Sequence, residues 1–317
     1  MRCLVTGATG FIGGGVLRGL RAAGHDVVAY VREGSDSRAL EDVDRVVGDM
    51  GDPNRLASAA AGCDVMIHAA GVADPAAHPD TLGWAHVAGT ENAINAAKQA
   101  GCRRFVHISC ADATLYDGPR SFWTEAEAPQ RPYGELARTK LHSEELARVS
   151  GKKGFWTVAL RPGLVWGPRD TTHLPDWKAE AEAGGIRIIG GGKKLLATTY
   201  IDNLAHAVQC ALRTTVTTGN VYYVVDTELS VSREFFTKLS EALGWGPPKS
   251  AGPYWWAWFA SRTGLSSLHP TQVIRRGRTS AFDMGRAKQD LGYEPIVTRQ
   301  QGLAELSEWY RQAQGSL

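Results

Sequence analysis

Short apolar runs alternate with longer stretches of mixed apolar and polar residues through the first half of the chain. The runs are rich in valine, isoleucine and aromatic residues, and helix-like stretches separate several of them, which is typical of βαβ units. The predicted strands are RCLVTG, DVVAYVR, DRVVGD, CDVMIHAAG, RRFVHIS and FWTVALRPG. The predicted helices include FIGGGVLRGLRAAG, which ends near Gly24, and WAHVAGTENAINAAKQAG. We therefore predict an α/β fold with a doubly wound parallel sheet.

The pattern changes after Arg161. It predicts a loop at RPGLVWGPRD, helices at LPDWKAEAEAGG and DNLAHAVQCALR, strands at IRIIGGG and NVYYVVD, and mainly helices and loops from Ser230 onward. We predict a Rossmann domain over residues 1–165, with late sheet elements from about 195–226. Residues 166–194 and 227–317 are expected to form a smaller C-terminal substrate domain, which acts as a lid.

Composition narrows the possible partners. The 317 residues include 35 Lys and Arg against 33 Asp and Glu, and a net charge of +2 gives no field that favours nucleic acid. The five cysteines show no CxxC pair or metal-ligand spacing, which predicts free buried thiols and no metal site. No secretory leader and no apolar run of bilayer length is evident, so we expect a cytoplasmic protein.

The segment TGATGFIG follows the first predicted strand and opens the first predicted helix. Glycines here permit a tight turn and a close approach to a pyrophosphate, and the helix N-terminus favours anions. A glycine turn without a ligand is the alternative, but the strand before and the helix after it favour a dinucleotide site. The residues expected to form this part of the site are Thr6, Gly7, Thr9, Gly10, Phe11, Ile12 and Gly13.

The end of the second strand indicates which dinucleotide is bound. An acid there holds a ribose hydroxyl, whereas a 2′-phosphate needs an arginine and no repelling carboxylate. Val31 and Arg32 stand where the acid is expected. NADP(H) is therefore favoured over NAD(H), with Arg32 on the phosphate and Ser35 or Arg38 assisting. The alternative is that Arg32 is a solvated surface charge, because Glu33 adjoins it.

Two later strands end in residues that suit the same site, since ligands of open α/β sheets bind at the carboxyl ends of the strands. Asp49 and Met50 follow the third strand, and the Asp49 carboxylate is expected to bond the adenine amine. The alternative for Asp49 is a cap on the following segment. The fourth strand ends in small residues that let a nucleotide lie close; this segment is His68, Ala69, Ala70 and Gly71.

A series of segments, in order along almost the whole chain, resembles the extended short-chain dehydrogenase/reductase family, in an atypical form. The segments are VTGATGFIG, GDMGDP, HAAG, RRFVHIS, TKLHSEELA, ALRPGLVWGP, TTYIDNLAHA and DMGRAKQDLGYEP. The similarity is greatest to the 3β-hydroxysteroid dehydrogenase-like, NAD-dependent epimerase-like branch, which includes bacterial reductases of 2-alkyl-3-oxoalkanoic acids. It implies an oxidoreductase with a nicotinamide cofactor and says little about the substrate.

The resemblance also implies a catalytic Ser or Thr after the fifth strand, a Tyr, and a Lys four residues after the Tyr. The Lys cation lets the phenol act as an acid near neutral pH, and this spacing places both side chains on one helix face. Lys140 matches the family lysine, but Leu136 stands four residues before it. Cys110 occupies the usual hydroxyl position, one residue after Ser109. The catalytic candidates are therefore Lys140, Cys110 and Ser109 in a non-standard site.

Tyr133 precedes Lys140 by seven residues, in PYGELARTK. On a regular helix this spacing separates the two by about 10 Å along the axis, too far for the usual pair. We favour the interpretation that Tyr133 lies in a loop and Leu136 replaces the acid. The alternative is an irregular turn that returns Tyr133 to the site. Other candidate proton donors are Tyr116, Asp112 and His173.

The substrate side is predicted from apolar segments and from the resemblance. RPGLVWGPRD resembles the family loop beside the nicotinamide, which implies that Pro162 and Gly163 lie there. The segment PYWWAWFASRTGL suits a lipophilic pocket or a weak contact with a membrane surface. The resemblance implies a steroid-like or fatty substrate and a homodimer formed through the helix that carries Lys140. The candidate substrate contacts are Tyr116, Trp166, His173 and Trp255.

Together these features predict an NADP(H)-dependent oxidoreductase that acts on a hydroxyl or carbonyl group of a lipophilic molecule without the usual Tyr. Two alternatives stay open. One is an enzyme of non-redox chemistry that keeps the cofactor as a scaffold, and the other is a non-catalytic NADP(H)-binding interaction protein.

Overall fold

The computed structural model describes residues 1–40, 42–114, 122–127, 132–214 and 218–315. Its strands are β1 Arg2–Thr6, β2 Asp26–Val31, β3 Asp44–Val47, β4 Val65–His68, β5 Arg104–Ile108, β6 Trp156–Pro162, β7 Leu164–Trp166, β8 Arg187–Ile188, β9 Leu195–Leu196, β10 Thr198–Tyr200, β11 Asn220–Val224, β12 Ser230–Val231 and β13 Lys249–Ser250. Its helices are α1 Phe11–Ala22, α2 Pro53–Ala60, α3 Pro79–Gly83, α4 Gly89–Gln99, α5 Gly134–Val149, α6 Leu174–Glu182, α7 Ile201–Arg213, α8 Ser232–Leu243, α9 Tyr254–Arg262, α10 Pro270–Gly277 and α11 Arg299–Gly315.

The central element is a seven-stranded parallel sheet in the order β11-β6-β5-β4-β1-β2-β3. Successive side chains of a strand point to opposite faces, and here both faces are buried. Cys3 and Val5 of β1 pack in one core cluster with Leu17 of α1, whereas Leu4 packs in a second cluster with Leu56 of α2. Helices therefore cover both sides of the sheet, and the predicted doubly wound fold is confirmed.

The strand order reverses at β1, and this reversal positions the site. Strand β1 lies between β2 and β4, and Thr6 at the end of β1 pairs with His68 at the end of β4. The connections that leave β1 and β4 pass to opposite faces, because α1 and α4 pack in the two different core clusters. A crevice opens at such a switch point, at the carboxyl ends of the strands.

The structure differs from the sequence prediction in two segments. RPGLVWGPRD contains the strand β7, which pairs in parallel with β10, so the prediction of a loop there was wrong. All three β7 residues are buried and take their strand partner from a segment that is distant in sequence. The predicted helix at WAHVAGTENAINAAKQAG starts earlier, at Pro79, because a π-helical turn at Trp84–Ala88 joins α3 to α4.

The structure also gives the state of the cysteines and the character of the helices. Its five cysteines are free, and all except the partly buried Cys110 are buried. Within the ranges given above, no helix combines the length and the apolar character needed to cross a membrane. The division into a Rossmann domain and a lid stays a prediction.

Candidate active site

The glycine loop between β1 and α1 is shaped by close backbone contacts. Gly7 has a φ of +71°, and a Cβ atom there would lie 2.8 Å from the backbone of Ala70. A Cβ atom on Gly13 would lie 2.1 Å from the Gly7 carbonyl oxygen. Gly10 precedes α1 and provides no side-chain cap, so the first N–H groups of the helix remain available for an anion.

A cavity of about 400 Å³ runs over this loop, and we name it the nucleotide groove. Its walls include residues from the ends of the first four strands of the chain, as expected at a switch point. Of the predicted cofactor residues, those that line it are Gly7, Thr9, Gly10, Phe11, Ile12, Gly13, Arg32, Ser35, Asp49, Met50, Ala69, Ala70 and Gly71. The shape and the glycine cradle fit a dinucleotide.

Thr6 and His68 lie beneath the groove and support it. The Thr6 hydroxyl bonds Nδ1 of His68 at 2.8 Å and accepts a hydrogen bond from the backbone N–H of Ala70 at 3.3 Å. Nε2 of His68 contacts the Thr90 hydroxyl at 3.0 Å. Burial, with a smaller contribution from the charge of Lys140, lowers the pKa of His68 to about 3. His68 is therefore neutral, and it fixes the loop that faces the ligand.

Of the three residues predicted to bind the 2′-phosphate, two line the groove and one does not. Arg32 and Ser35 line the groove, whereas Arg38 forms an exposed pair with Asp36, with Nη2 to Oδ2 at 2.6 Å. Asp49 accepts a hydrogen bond from the Gly51 N–H at 2.7 Å. Asp49 therefore caps its own turn and is also one of the residues that line the groove.

A second cavity of about 140 Å³ adjoins the groove and shares the walls formed by Phe11 and Gly71; we name it the chamber. Lys140 of α5 enters it, and a Cβ atom on Gly71 would lie 3.3 Å from the Lys140 Nζ atom. The Lys140 ammonium has no hydrogen-bond or ion-pair partner among the described residues. Burial lowers the pKa of Lys140, with an opposing contribution from Cys110. The chamber also contains the predicted nicotinamide-side residues Pro162 and Gly163.

Helix α5 starts at Gly134, so Tyr133 lies outside it with extended backbone angles. Leu136 stands one turn before Lys140, and both line the chamber. Tyr133 lines a smaller cavity of about 30 Å³, the side pocket, which Leu136 and Lys140 also border. Its ring packs edge-on against Trp258 of α9, with 5.2 Å between the ring centroids.

The two other catalytic candidates have different surroundings. Ser109 donates a 2.6 Å hydrogen bond to Glu144, whose carboxylate also receives two hydrogen bonds from Arg161 at 2.7 and 2.8 Å. Cys110 lines both the chamber and the side pocket. Burial, reinforced by the carboxylate of Asp112, raises the pKa of the Cys110 thiol, so it is a neutral thiol at neutral pH.

Charged residues from both halves of the chain meet at the chamber. Asp112 follows β5 and forms an ion pair with Arg275 of α10. His173 also lines the chamber and stacks on Trp177, with ring centroids 5.6 Å apart. Burial, together with the charges of Arg275 and Arg276, holds the pKa of His173 well below its ordinary value. Sequence reasoning missed Arg275, because nothing local to VIRRG indicates which of its neighbours faces a cavity.

The remaining substrate candidates do not meet at one place. Trp166 is fully buried, packs on Tyr200 and Phe235, and is not among the residues that line the groove, the chamber or the side pocket. Its place in the core corrects the prediction of a substrate contact, since the strand β7 directs it inward. Trp255 is 68% exposed on α9. Tyr116 lies outside the described residues.

A protein-family model described as the NAD dependent epimerase/dehydratase family matches residues 3–224. The chain belongs to this family. The extended short-chain dehydrogenase/reductase resemblance drawn from the sequence is therefore confirmed.

Two relatives and one solved structure illustrate the similarity. The chain is 30% identical to the 4-hydroxy-2-methyl-3-oxo-4-farnesyl-3,4-dihydroquinoline-1-oxide ketoreductase of Stigmatella aurantiaca, over 100% of this chain and 99% of that protein. It is 31% identical to the 2-alkyl-3-oxoalkanoate reductase of Stenotrophomonas maltophilia, over 96% and 98%. The solved structure of MoeE5 in complex with UDP-glucuronic acid and NAD superposes with a TM-score of 0.78 at 25% identity, over 99% and 100%. The relatives are oxidoreductases, and this structural neighbour holds a nicotinamide cofactor.

Proposed function

We propose that this epimerase/dehydratase family member is an NADP(H)-dependent oxidoreductase that interconverts a carbonyl and a hydroxyl group on a lipophilic molecule. The observation that carries the proposal is the Lys140 ammonium in the chamber beside the nucleotide groove, which has no partner among the residues that the structure describes, with Leu136 where a phenol is expected. When bound, NADPH supplies a hydride to the carbonyl carbon. The chain must then supply one proton to the carbonyl oxygen, so that an alcohol and NADP⁺ result.

Lys140 is the proposed source of that proton, directly or through one water molecule. Its lowered pKa makes the ammonium a stronger acid than an exposed lysine, which suits proton donation closer to neutral pH. The rate of ketone reduction should therefore fall as the pH rises through the pKa of Lys140. Tyr133, which lines the side pocket with Lys140, stays the alternative proton donor. Ser109 and Cys110 stay candidates for orienting the substrate.

The proposed preference for NADP(H) is supported by the charges at the groove. Arg32 and Ser35 line it just past the end of β2, and Asp49 is the one carboxylate among its described lining residues. Arg32 and Ser35 would offer the 2′-phosphate a guanidinium and a hydroxyl, while the Asp49 carboxylate is bonded to the Gly51 N–H.

The proposed lipophilic substrate is supported by the chamber walls, which include Leu136, Leu164 and Val165. It is also supported by the relatives, whose names specify a farnesylated quinoline oxide and 2-alkyl-3-oxoalkanoates.

A weak contact between α9 and a membrane surface is also proposed. Trp255, Trp256 and Phe259 are 68%, 44% and 51% exposed, and no Asp or Glu occurs between Ala242 and Phe282. Exposed aromatic rings in a segment free of negative charge suit an anionic lipid headgroup layer. A cytoplasmic location stays a proposal from the sequence pattern, and a homodimer through α5 stays a proposal by resemblance.

The test is deuterium transfer from NADPH labelled at the nicotinamide C4 to a panel of lipophilic ketones, including a steroid ketone and a 2-alkyl-3-oxoalkanoate. We expect labelled alcohol from the parent chain, much less from Lys140→Met, and unchanged yield from the surface control Lys152→Met. If NADPH binds tightly and no ketone gains deuterium, the redox proposal fails. The two alternatives, non-redox chemistry and a non-catalytic binding protein, then remain.

A further inference from the structure

Arg275 stands between the chamber and the side pocket and lines both. It belongs to α10, and it lines the side pocket together with Lys140 and Leu136 of α5. Its side chain is 18% exposed and forms part of the walls of both cavities.

The hydrogen bonding of Arg275 is incomplete, and the adjacent arginine shows the contrast. Arg276 donates two hydrogen bonds to the Glu180 carboxylate, each of 2.9 Å, and is 4% exposed. Arg275 forms an ion pair with Asp112 through Nε. Within the described part of the chain, neither terminal nitrogen of Arg275 has a hydrogen bond. Both terminal nitrogens of Arg276 are therefore used by Glu180. Arg275, beside its ion pair with Asp112, keeps the N–H donors of its terminal nitrogens.

The described residues around the chamber and the side pocket carry one more positive charge than negative charge. Among the described residues that line them, the cationic groups are Lys140 and Arg275, and the one carboxylate is Asp112. His173 is neutral at ordinary pH, as its lowered pKa indicates. The rest of the side-pocket wall is largely apolar and includes Ile274 and Ala137. An amphiphile with one negative group fits this combination better than a neutral ketone does.

We propose that Arg275 is a binding residue for a carboxylate on the substrate, with the apolar part of that substrate against the α5 and α10 walls. The inference rests on the proposed function for the identity of the site and adds the substrate class: a lipophilic oxo or hydroxy acid. Asp112 holds the Arg275 side chain in place and competes with the substrate carboxylate for it. A planar guanidinium accommodates both carboxylates, since it carries five N–H donors.

The test is equilibrium binding by calorimetry, with and without NADPH, of decanoate and its uncharged analogue methyl decanoate. We expect decanoate to bind more tightly by about tenfold or more, the range of a hydrogen-bonded charge pair. Arg275→Gln should remove this difference, and Arg275→Lys should restore part of it. The surface control Arg311→Ala should leave it intact. Asp112→Asn should tighten decanoate and leave the ester unchanged, because it removes the competing charge.

Three results would overturn the proposal: equal binding of acid and ester to the parent chain, a difference that survives in Arg275→Gln, or a difference that Lys140→Met removes and Arg275→Gln does not. Thermal melting of each variant separates loss of the fold from loss of the contact, and Arg275→Lys provides the readout if Arg275→Gln is unfolded. Binding requires no hydride transfer, so failure here and failure of the deuterium experiment are independent.

Discussion

Leu136 lies one helical turn before Lys140 on α5, and both side chains line the chamber beside the nucleotide groove. A spacing of four residues brings two side chains together on one helix face, so the Lys140 cation faces a hydrocarbon side chain where a phenol would be activated. In the proposed carbonyl reduction, the proton is therefore supplied by a group other than the residue at position 136.

Replacing Leu136 with Tyr should raise the rate of ketone reduction, by about 100-fold or more if the phenol becomes the general acid. The physical reason is that Lys140 stabilises the phenolate and so lowers the pKa of the new hydroxyl. Steady-state kinetics with NADPH and a lipophilic ketone measure the change. Leu136→Phe is the matched control, with the same ring and no hydroxyl; equal rates in the two variants would contradict the prediction.

Arg32→Ala should weaken NADPH binding by about 10- to 100-fold, the loss of one charge-assisted contact, and leave NADH binding nearly unchanged. Fluorescence titration with both nucleotides measures the two dissociation constants. Arg38→Ala should have a smaller effect, because Arg38 is paired with Asp36. Equal weakening of NADPH and NADH by Arg32→Ala would show that Arg32 does not recognise the phosphate.

Three buried histidines should make the protein sensitive to mild acid. Burial lowers the pKa of His68 and His86 to about 3 and that of His107 well below 6.5. Below pH 6.5 the unfolded chain binds more protons than the folded one, so stability is full above this pH and is lost as the pH falls toward 3. Each histidine lowers the free energy of unfolding by about 1.4 kcal/mol per pH unit well below its unfolded pKa.

Urea unfolding between pH 7 and pH 5 tests this sensitivity. His86→Gln should flatten the dependence, since it removes one proton-binding group and keeps hydrogen-bonding capacity toward Thr139. A free energy of unfolding that stays constant over this range would refute the assignment of three neutral histidines.

Ser109→Ala should reduce the free energy of unfolding by about 1–3 kcal/mol, because it removes one hydrogen bond to the buried Glu144 carboxylate. Glu144→Gln should cost more, about 3–5 kcal/mol, since it leaves Arg161 as an uncompensated buried cation. Chemical unfolding measures both. An unchanged stability in Ser109→Ala, together with lost turnover, would instead assign Ser109 to catalysis alone.

The double variant Trp255→Ser and Trp256→Ser should lose most of its binding to vesicles that contain anionic phosphatidylglycerol, because it removes two of the exposed aromatic rings of α9. Co-sedimentation with such vesicles and with neutral phosphatidylcholine vesicles measures the contact. Val149→Ser is the control, since Val149 is 60% exposed on another helix. If the parent chain binds neither vesicle, or if sedimentation velocity shows that the variant loses a dimer instead, α9 is not a membrane contact.

The sequence predicted the parts of the site that depend on local patterns. TGATGFIG lies in a strand-turn-helix unit, and Gly7 and Gly13 are required there because a Cβ atom at either position would clash with backbone atoms. Arg32 and Asp49 could be placed because each follows a strand, and the carboxyl ends of parallel strands meet at one edge. The sequence also showed that no phenol stands four residues before Lys140. Because helical spacing is fixed, that position was known to share a helix face with Lys140.

Contacts between segments distant in sequence required the tertiary structure. Trp166 and Trp255 both looked suited to a lipophilic substrate, yet pairing of β7 with β10 buries the first and α9 exposes the second. Arg275 and Arg276 are adjacent in VIRRG, and only the packing of α10 shows their different roles. Arg276 pairs with Glu180, whereas Arg275 pairs with Asp112 and lines the chamber. The sequence by itself therefore determined the fold class, the nucleotide loop and the presence of Leu136 four residues before Lys140, because these depend on backbone geometry and short spacings. The tertiary structure decided which charges and rings face the chamber, because that depends on how separate elements pack.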